Sequence, residues 1–275
     1  MVTAVGDRAS GAGWRPFSVK VEGALLSGET RGDLALRPPL WLIHGMAGSR
    51  ADWDALVAQL PPDLPIVRHD LRGFGQSSAK PGVAFSHADD LLAMADALGL
   101  DRFVPLGLSM GGGVAVHFAL DHPARVAAMA LISPAMVGWD WSDDWKAQWR
   151  GVSKAARSGD MAMARELWFQ HPMFAQLRKG PHASAFRAEI EAYHGTQWTG
   201  SDERAELPDI DRLPALAPPT LLLSGSRDVP DMRLIADVIA GAAPCVTRVD
   251  FPEAGHMLHL ERTAEVAHAV VAHLS

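Results

Sequence analysis

The chain has 275 residues, 48% of them hydrophobic and 21% charged, the balance of a globular protein able to bury a large core. A formal charge of −7, with no basic run, argues against nucleic acid or an anionic membrane as principal partner. Cys245 is the single cysteine, which excludes an intrachain disulfide and a cysteine-rich metal site and makes a cytoplasmic setting the default expectation.

No stretch approaches the roughly 20 apolar residues of a membrane helix. Residues 1–16 carry Asp7, Arg8 and Arg15 where a signal peptide needs an apolar core. The Gly/Ala/Ser-rich opening, residues 1–15, is expected to be loose. Residues 17–22 alternate in the manner of a half-exposed strand, and 24–27 continue it as a hairpin partner, both expected at a sheet edge.

Residues 39–43 read as a short buried strand. They lead into the glycine-rich loop His44-Gly45-Met46-Ala47-Gly48-Ser49 and a helix over 51–60. A second strand, 66–70, runs into Asp70-Leu71-Arg72-Gly73-Phe74-Gly75-Gln76-Ser77. The polar residues of both loops read as turn-holders. His44 is expected to be a hydrogen-bonder and not a base, and Asp70 and Arg72 an ion pair with hydrogen bonds around permissive glycines. Residues 86–98 form an amphipathic helix capped by Ser86 and stopped at Gly99.

Residues 103–114, Phe-Val-Pro-Leu-Gly-Leu-Ser-Met-Gly-Gly-Gly-Val, are an apolar strand ending in a serine between glycines and passing into a helix pattern. A strand that turns sharply into a helix strains the residue at the turn and demands small neighbours, which Gly107 and Gly111 supply. Ser109 is therefore read as a nucleophile lifted clear of the sheet. His122-Pro123 ends the helix, and residues 126–132 give another buried strand. Strands and helices alternating at this spacing indicate a mostly parallel sheet with helices on both faces.

From 134 to about 213 the alternation stops, and six of the nine tryptophans fall there. Helical spacing over 142–156, 162–169 and 184–193 indicates an inserted helical cap between two parts of the core, 1–133 and 214–275. The tryptophans as a set suggest an apolar pocket over Ser109, with Trp139, Trp141, Trp168 and Trp198 as candidate contacts. Residues 220–223 are the returning strand, and Asp228 follows it in Ser224-Gly225-Ser226-Arg227-Asp228. After a helix over 232–240 and a strand over 246–250, Ala254-Gly255-His256 places a histidine in the next loop. A final helix spans 263–274.

Gly-Leu-Ser-Met-Gly, the His44-Gly45-Met46 loop, the Asp70 to Ser77 turn and the order Ser109, Asp228, His256 together resemble the α/β-hydrolase family. The resemblance covers residues 17–274 and implies an eight-stranded sheet, a catalytic triad of those three residues, and an oxyanion hole from the backbone N–H groups of Met46 and Met110. It implies a serine esterase or lactonase acting on a small-molecule ester or lactone without metal or organic cofactor, as a monomer or homodimer. The elbow and Asp-Val-Pro-Asp at 228–231 look most like 3-oxoadipate enol-lactonases and related carboxylesterases. Asp231 and Asp250 are rivals for the acid, and His259 for the base. Carbon–carbon bond hydrolases, perhydrolases and ligand-binding signalling relatives of the same fold remain alternatives at this point.

Overall fold

The computed structural model describes residues 2–3 and 13–275. A two-residue strand β1 (Val2–Thr3) precedes β2 (Arg15–Val21) and β3 (Ala24–Arg31). Of the opening expected to be loose, residue 1 and residues 4–12 lie outside the described part. Trp14 and Arg15 do not fit that expectation: Trp14 is buried, with the Arg68 guanidinium 4.2 Å from its ring centre, and Arg15 begins a strand.

Next come β4 (Leu40–Ile43), a short 3₁₀ turn into α1 (Asp54–Val57), β5 (Ile66–His69), α2 (His87–Ala97), β6 (Val104–Leu108), α3 (Met110–Asp121) and β7 (Met129–Ile132). The helix expected over 51–60 is thus shortened to one α-turn behind a 3₁₀ turn. Four helices follow before the sheet resumes: α4 (Asp143–Arg157), α5 (Met161–Phe169), α6 (Ala183–Ala192) and α7 (Thr196–Thr199). β8 (Thr220–Gly225), α8 (Pro230–Ala242), β9 (Val246–Phe251), a one-turn α9 (Leu258–Glu261) and α10 (Thr263–His273) complete the chain.

The sheet order is β1-β2-β3-β5-β4-β6-β7-β8-β9, parallel from β5 through β9 and antiparallel among β1, β2, β3 and β5. The eight strands from Arg15 onward are those the sequence leads one to expect, and β1 adds a ninth at the margin. β3 is not an edge strand: it pairs with β2 on one side and β5 on the other. β4 to β5 steps one way across the sheet, while β5 to β6, β6 to β7 and β8 to β9 step the other way. Right-handed crossovers then put α1 on one face and α2, α3 and α8 on the opposite one. The packing agrees, because α1 meets α9 and α10, whereas α2 meets α3.

The reversal lies between β4 and β6, so the loops after their carboxyl ends open a crevice where the chain changes direction. β4, β5, β6, β7 and β8 are wholly buried, so the floor of that crevice is rigid. Ser86 caps α2 as expected, accepting a hydrogen bond from Ala88 N–H at 3.2 Å, and Gly99 ends the segment at φ +67°.

The polar residues of both loops hold the turns, but Asp70 and Arg72 do not pair with each other. Asp70 takes the Arg50 guanidinium at 2.7 Å and the N–H of Arg50 and Gln76, while Arg72 forms a buried two-pronged pair with Asp90 at 2.6 and 2.8 Å. Breaking that buried pair from one side strands a charge, a cost of about 3–5 kcal/mol. His44 accepts from Leu71 N–H at 3.0 Å and bonds Gly45 O at 2.8 Å, and burial holds its pKa below the usual imidazole value. It is a turn-holder.

Candidate active site

Ser109 stands between β6 and α3 with φ 52° and ψ −117°, a conformation that a residue with a side chain adopts only under constraint. The constraint is packing. A Cβ on Gly107 would lie 2.3 Å from the Gly111 carbonyl oxygen, and one on Gly111 would lie 2.2 Å from that of Ile43. Helix α3 therefore starts pressed against β6 and the end of β4. Gly111→Ala is expected to destabilise the protein by about 3 kcal/mol or more through overpacking against backbone, lowering the melting temperature by about 6 °C or more. A calorimetric scan that shows no shift would contradict this close approach.

His256 and Asp228 are both buried, and His256 Nδ1 lies 2.8 Å from Asp228 Oδ2. The other carboxylate oxygen accepts from Val229 N–H at 2.7 Å. Their loops meet because Gly225 lacks a side chain: a Cβ there would sit 2.0 Å from Gly255 O. His256 Nε2 is buried and makes no hydrogen bond, so none joins it to Ser109. Ligand-free active sites often hold such a bond long or misaligned until substrate arrives.

Ser109, Met46 and Met110 share the lining of a cavity of about 290 Å³. The Met110 N–H, first in its helix, has no partner within the helix, and the Met46 N–H donates no hydrogen bond among the described residues. Trp141, Trp145, Trp149 and Trp168 complete the lining, together with Met232 from α8. Trp141 and Trp145 stack with ring centres 4.3 Å apart. Residues 38–263 match the model of the family described as alpha/beta hydrolase fold.

The chain belongs to the α/β-hydrolase fold family. Among curated relatives, a putative carbamate hydrolase, RutD, from Caulobacter vibrioides is 35% identical over 115 residues, spanning 41% of this chain and 41% of its own length. A 2-succinyl-6-hydroxy-2,4-cyclohexadiene-1-carboxylate synthase from an Enterobacter species is 28% identical over 252 residues, 88% of this chain and 94% of that one. Among solved structures, a thermophilic esterase from Thermogutta terrifontis superposes with a TM-score of 0.79 at 29% identity, covering 94% of this chain and 97% of that one.

Within this family frame the rival residues are committed elsewhere. Asp231 accepts from Ser142 N–H at 2.9 Å, Ser142 Oγ at 2.6 Å and Trp139 Nε1 at 3.2 Å. Burial raises its pKa, but those hydrogen bonds outweigh burial and hold it below the usual carboxylate value. Asp250 is exposed on the edge strand β9 beside Arg248. His259 is buried against the Trp53 ring at 4.9 Å.

Two of the four tryptophans chosen from sequence, Trp141 and Trp168, line the cavity. Trp139 does not, because its indole N–H is drawn to Asp231, and Trp198 is buried edge-on against Tyr193 at 4.8 Å. Trp145 and Trp149 take their places. The i, i+4 spacing of Trp145 and Trp149 puts them on one face of α4 and was a usable signal, while Trp141 lies just before the helix cap and stacks on Trp145. Glu261 was not legible at all: its carboxylate accepts from Gly255 N–H at 2.6 Å and Met257 N–H at 3.1 Å, bracketing His256.

Proposed function

We propose that this protein is a serine hydrolase that cleaves a carboxylic ester or lactone of a small to medium, largely apolar molecule through an acyl-enzyme. The observation that carries the reading is Ser109, strained at the head of α3 and opening into a tryptophan-lined cavity, with a buried His256–Asp228 pair on neighbouring loops of the same crevice. Residues 134–213 serve as the cap over that site. Side-chain links that fasten it include Asp231 to Ser142, Ser49 Oγ to Glu189 at 3.0 Å, and His117 to Asp209 at 2.9 Å.

In this mechanism Nε2 of His256 takes the Ser109 proton as the hydroxyl attacks the carbonyl, and later returns it to the leaving alcohol. Asp228 fixes the ring so that Nδ1 carries the other proton, and stabilises the imidazolium. The oxyanion accepts hydrogen bonds from the N–H groups of Met46 and Met110, each worth about 3 kcal/mol in the transition state. Water attacks the acyl-serine with His256 again as base. The named esterase and carbamate hydrolase relatives support carbonyl chemistry of this kind, and the apolar lining favours an uncharged substrate.

A fluorophosphonate probe is expected to label the protein once, on the peptide carrying Ser109, and a panel of p-nitrophenyl esters, lactones and thioesters to reveal turnover of the medium-length apolar members. Labelling elsewhere, or rapid turnover confined to highly charged lactones, would overturn the assignment. Negligible turnover across the panel together with tight binding of a small ligand would instead make the protein a receptor.

A further inference from the structure

Asp231, in the first turn of α8, is 6% exposed and gives both its carboxylate oxygens to the cap. Oδ1 accepts from Ser142 N–H at 2.9 Å and from the Trp139 indole N–H at 3.2 Å, while Oδ2 accepts from Ser142 Oγ at 2.6 Å. Hydrogen bonds to a carboxylate are about twice as strong as those between neutral groups. Ser142 is in turn the cap of α4, its Oγ accepting from Trp145 N–H at 3.2 Å. One hydroxyl thus donates to the core and receives the first turn of the cap helix.

The helix held in this way supplies the wall facing the nucleophile. Trp145, Lys146 and Trp149 of α4, and Trp141 just before its cap, line the cavity that contains Ser109, and Met232, next to Asp231, lines it too. α4 itself packs on α5 and α7, which belong to the cap. Among the described residues, the α4 side chain that bonds beyond its own helix is Lys146, and its partner is Asp140 of the cap at 2.7 Å. Asp231 is therefore what ties the start of α4 to the core. It also shares one short stretch, Asp228-Val229-Pro230-Asp231, with the carboxylate that holds His256. Pro230 stiffens that stretch, so the tryptophans and the reacting centre are spaced from a common support.

On the basis of the serine-hydrolase reading, we infer that Asp231 is a positioning residue that sets substrate specificity: it holds the start of α4 so that the tryptophans meet a bicyclic aromatic group on the ester bound at Ser109. A cavity of roughly 150 Å³ holds one benzene ring, and this one, at about 290 Å³, has room for two fused rings. Aromatic walls reward a flat π-system beyond the area it buries. An ester too small to reach the wall gains nothing from it.

The test compares 2-naphthylmethyl acetate and methyl 2-naphthylacetate, which carry the rings on the alcohol and the acyl side, with ethyl acetate. The wild type is expected to prefer at least one naphthyl ester. Asp231→Ala is expected to lower the ratio of kcat/KM for that ester to kcat/KM for ethyl acetate by about tenfold, the worth of one aromatic contact. The fall should appear as a higher KM for the naphthyl ester with kcat within about threefold, the mark of lost uniform binding. Asp231→Asn keeps an acceptor for the Ser142 and Trp139 N–H groups and is expected to restore most of the ratio. Ser142→Ala cuts the joint from the cap side, leaves the 228–231 stretch intact, and is expected to lower the ratio by about fivefold. If Asp231→Ala does not fold, Ser142→Ala decides alone. No naphthyl preference in the wild type, a ratio the variants leave unchanged, a loss confined to kcat, or Asp231→Asn as poor as Asp231→Ala would overturn the role. If no ester turns over but calorimetry shows 2-naphthylmethyl acetate binding Ser109→Ala about tenfold more tightly than the Ser109→Ala, Asp231→Ala double variant, the role stands and the hydrolase reading falls. Equal binding without turnover overturns both.

Discussion

Ser109→Ala is expected to lower kcat/KM for a short p-nitrophenyl ester by about 10⁴-fold or more, about 5.5 kcal/mol of transition-state stabilisation. Ser109 has φ 52°, and alanine keeps the Cβ, so the backbone strain at the turn is the same in both proteins. The bond from Ser109 N–H to Ile132 O at 3.0 Å and the bonds from Ala135 and Gly113 N–H to Ser109 O are backbone bonds that the change leaves alone. Stability should therefore move by less than about 0.5 kcal/mol, as for substitutions that disturb no packing or hydrogen bonding. Loss of turnover with an unchanged melting curve then isolates the hydroxyl as the reacting group. Undiminished turnover in Ser109→Ala would remove the nucleophile from this residue whatever the fold.

Acid is expected to unfold this protein earlier than its modest content of ion pairs suggests, because several histidines are buried in their neutral form. Desolvation first, then repulsion from neighbouring imidazoles or arginines, pushes His87 and His259 down to about 3 and His171 to about 4, from an ordinary 6.5. His69 is pushed the same way. In the unfolded chain these rings take up protons as the pH drops below 6.5, while the folded protein resists until much lower. The unfolded state then binds more protons, so the stability these residues give is full above pH 6.5 and drains away as the pH falls toward 3–4.

At pH 5 each of the three histidines removes about 2 kcal/mol. Four groups act in the opposite sense: burial raises Asp52 and Asp90, desolvation pushes the Glu203 carboxyl up to about 7, and the hydrogen bond to Asp209 raises His117. With His44 lowered as well, five buried histidines stand against them, and a net loss of about 2 kcal/mol between pH 7 and pH 5 is expected in urea titrations. His259→Phe, placed against Trp53, should flatten that slope by about 2 kcal/mol. A stability that is level or rising from pH 7 down to pH 5 would show that these rings are solvated.

The β4, β7 and β8 strands were legible because each is a short apolar run with glycine or proline close by, and β6 because its apolar run ends at a serine fenced by glycines. The turn at Ser109 was legible for a related reason: Gly107 and Gly111 occupy positions where any side chain would strike backbone. Local composition likewise exposed Ser86 as a cap, because capping is a contact between near neighbours. The exact helical content at 51–60 was less so, since the segment's short turns depend on Asp52 folding back beneath Gly48. The edge position expected for β3 failed for want of information about which distant strand would claim its free side.

What the sequence by itself determined was the order of elements, the strained turn at 109, and the placing of Asp228 and His256 just past the ends of strands. Only the tertiary structure decided which tryptophans face the cavity, that Asp231 is occupied by Ser142, and that Glu261 brackets His256. The division has a physical cause. Backbone conformation and burial period are written over a few successive residues, whereas the direction of a side chain and the partner of a buried polar atom depend on segments up to 140 residues apart, such as Ser49 and Glu189, that meet only when the sheet has closed.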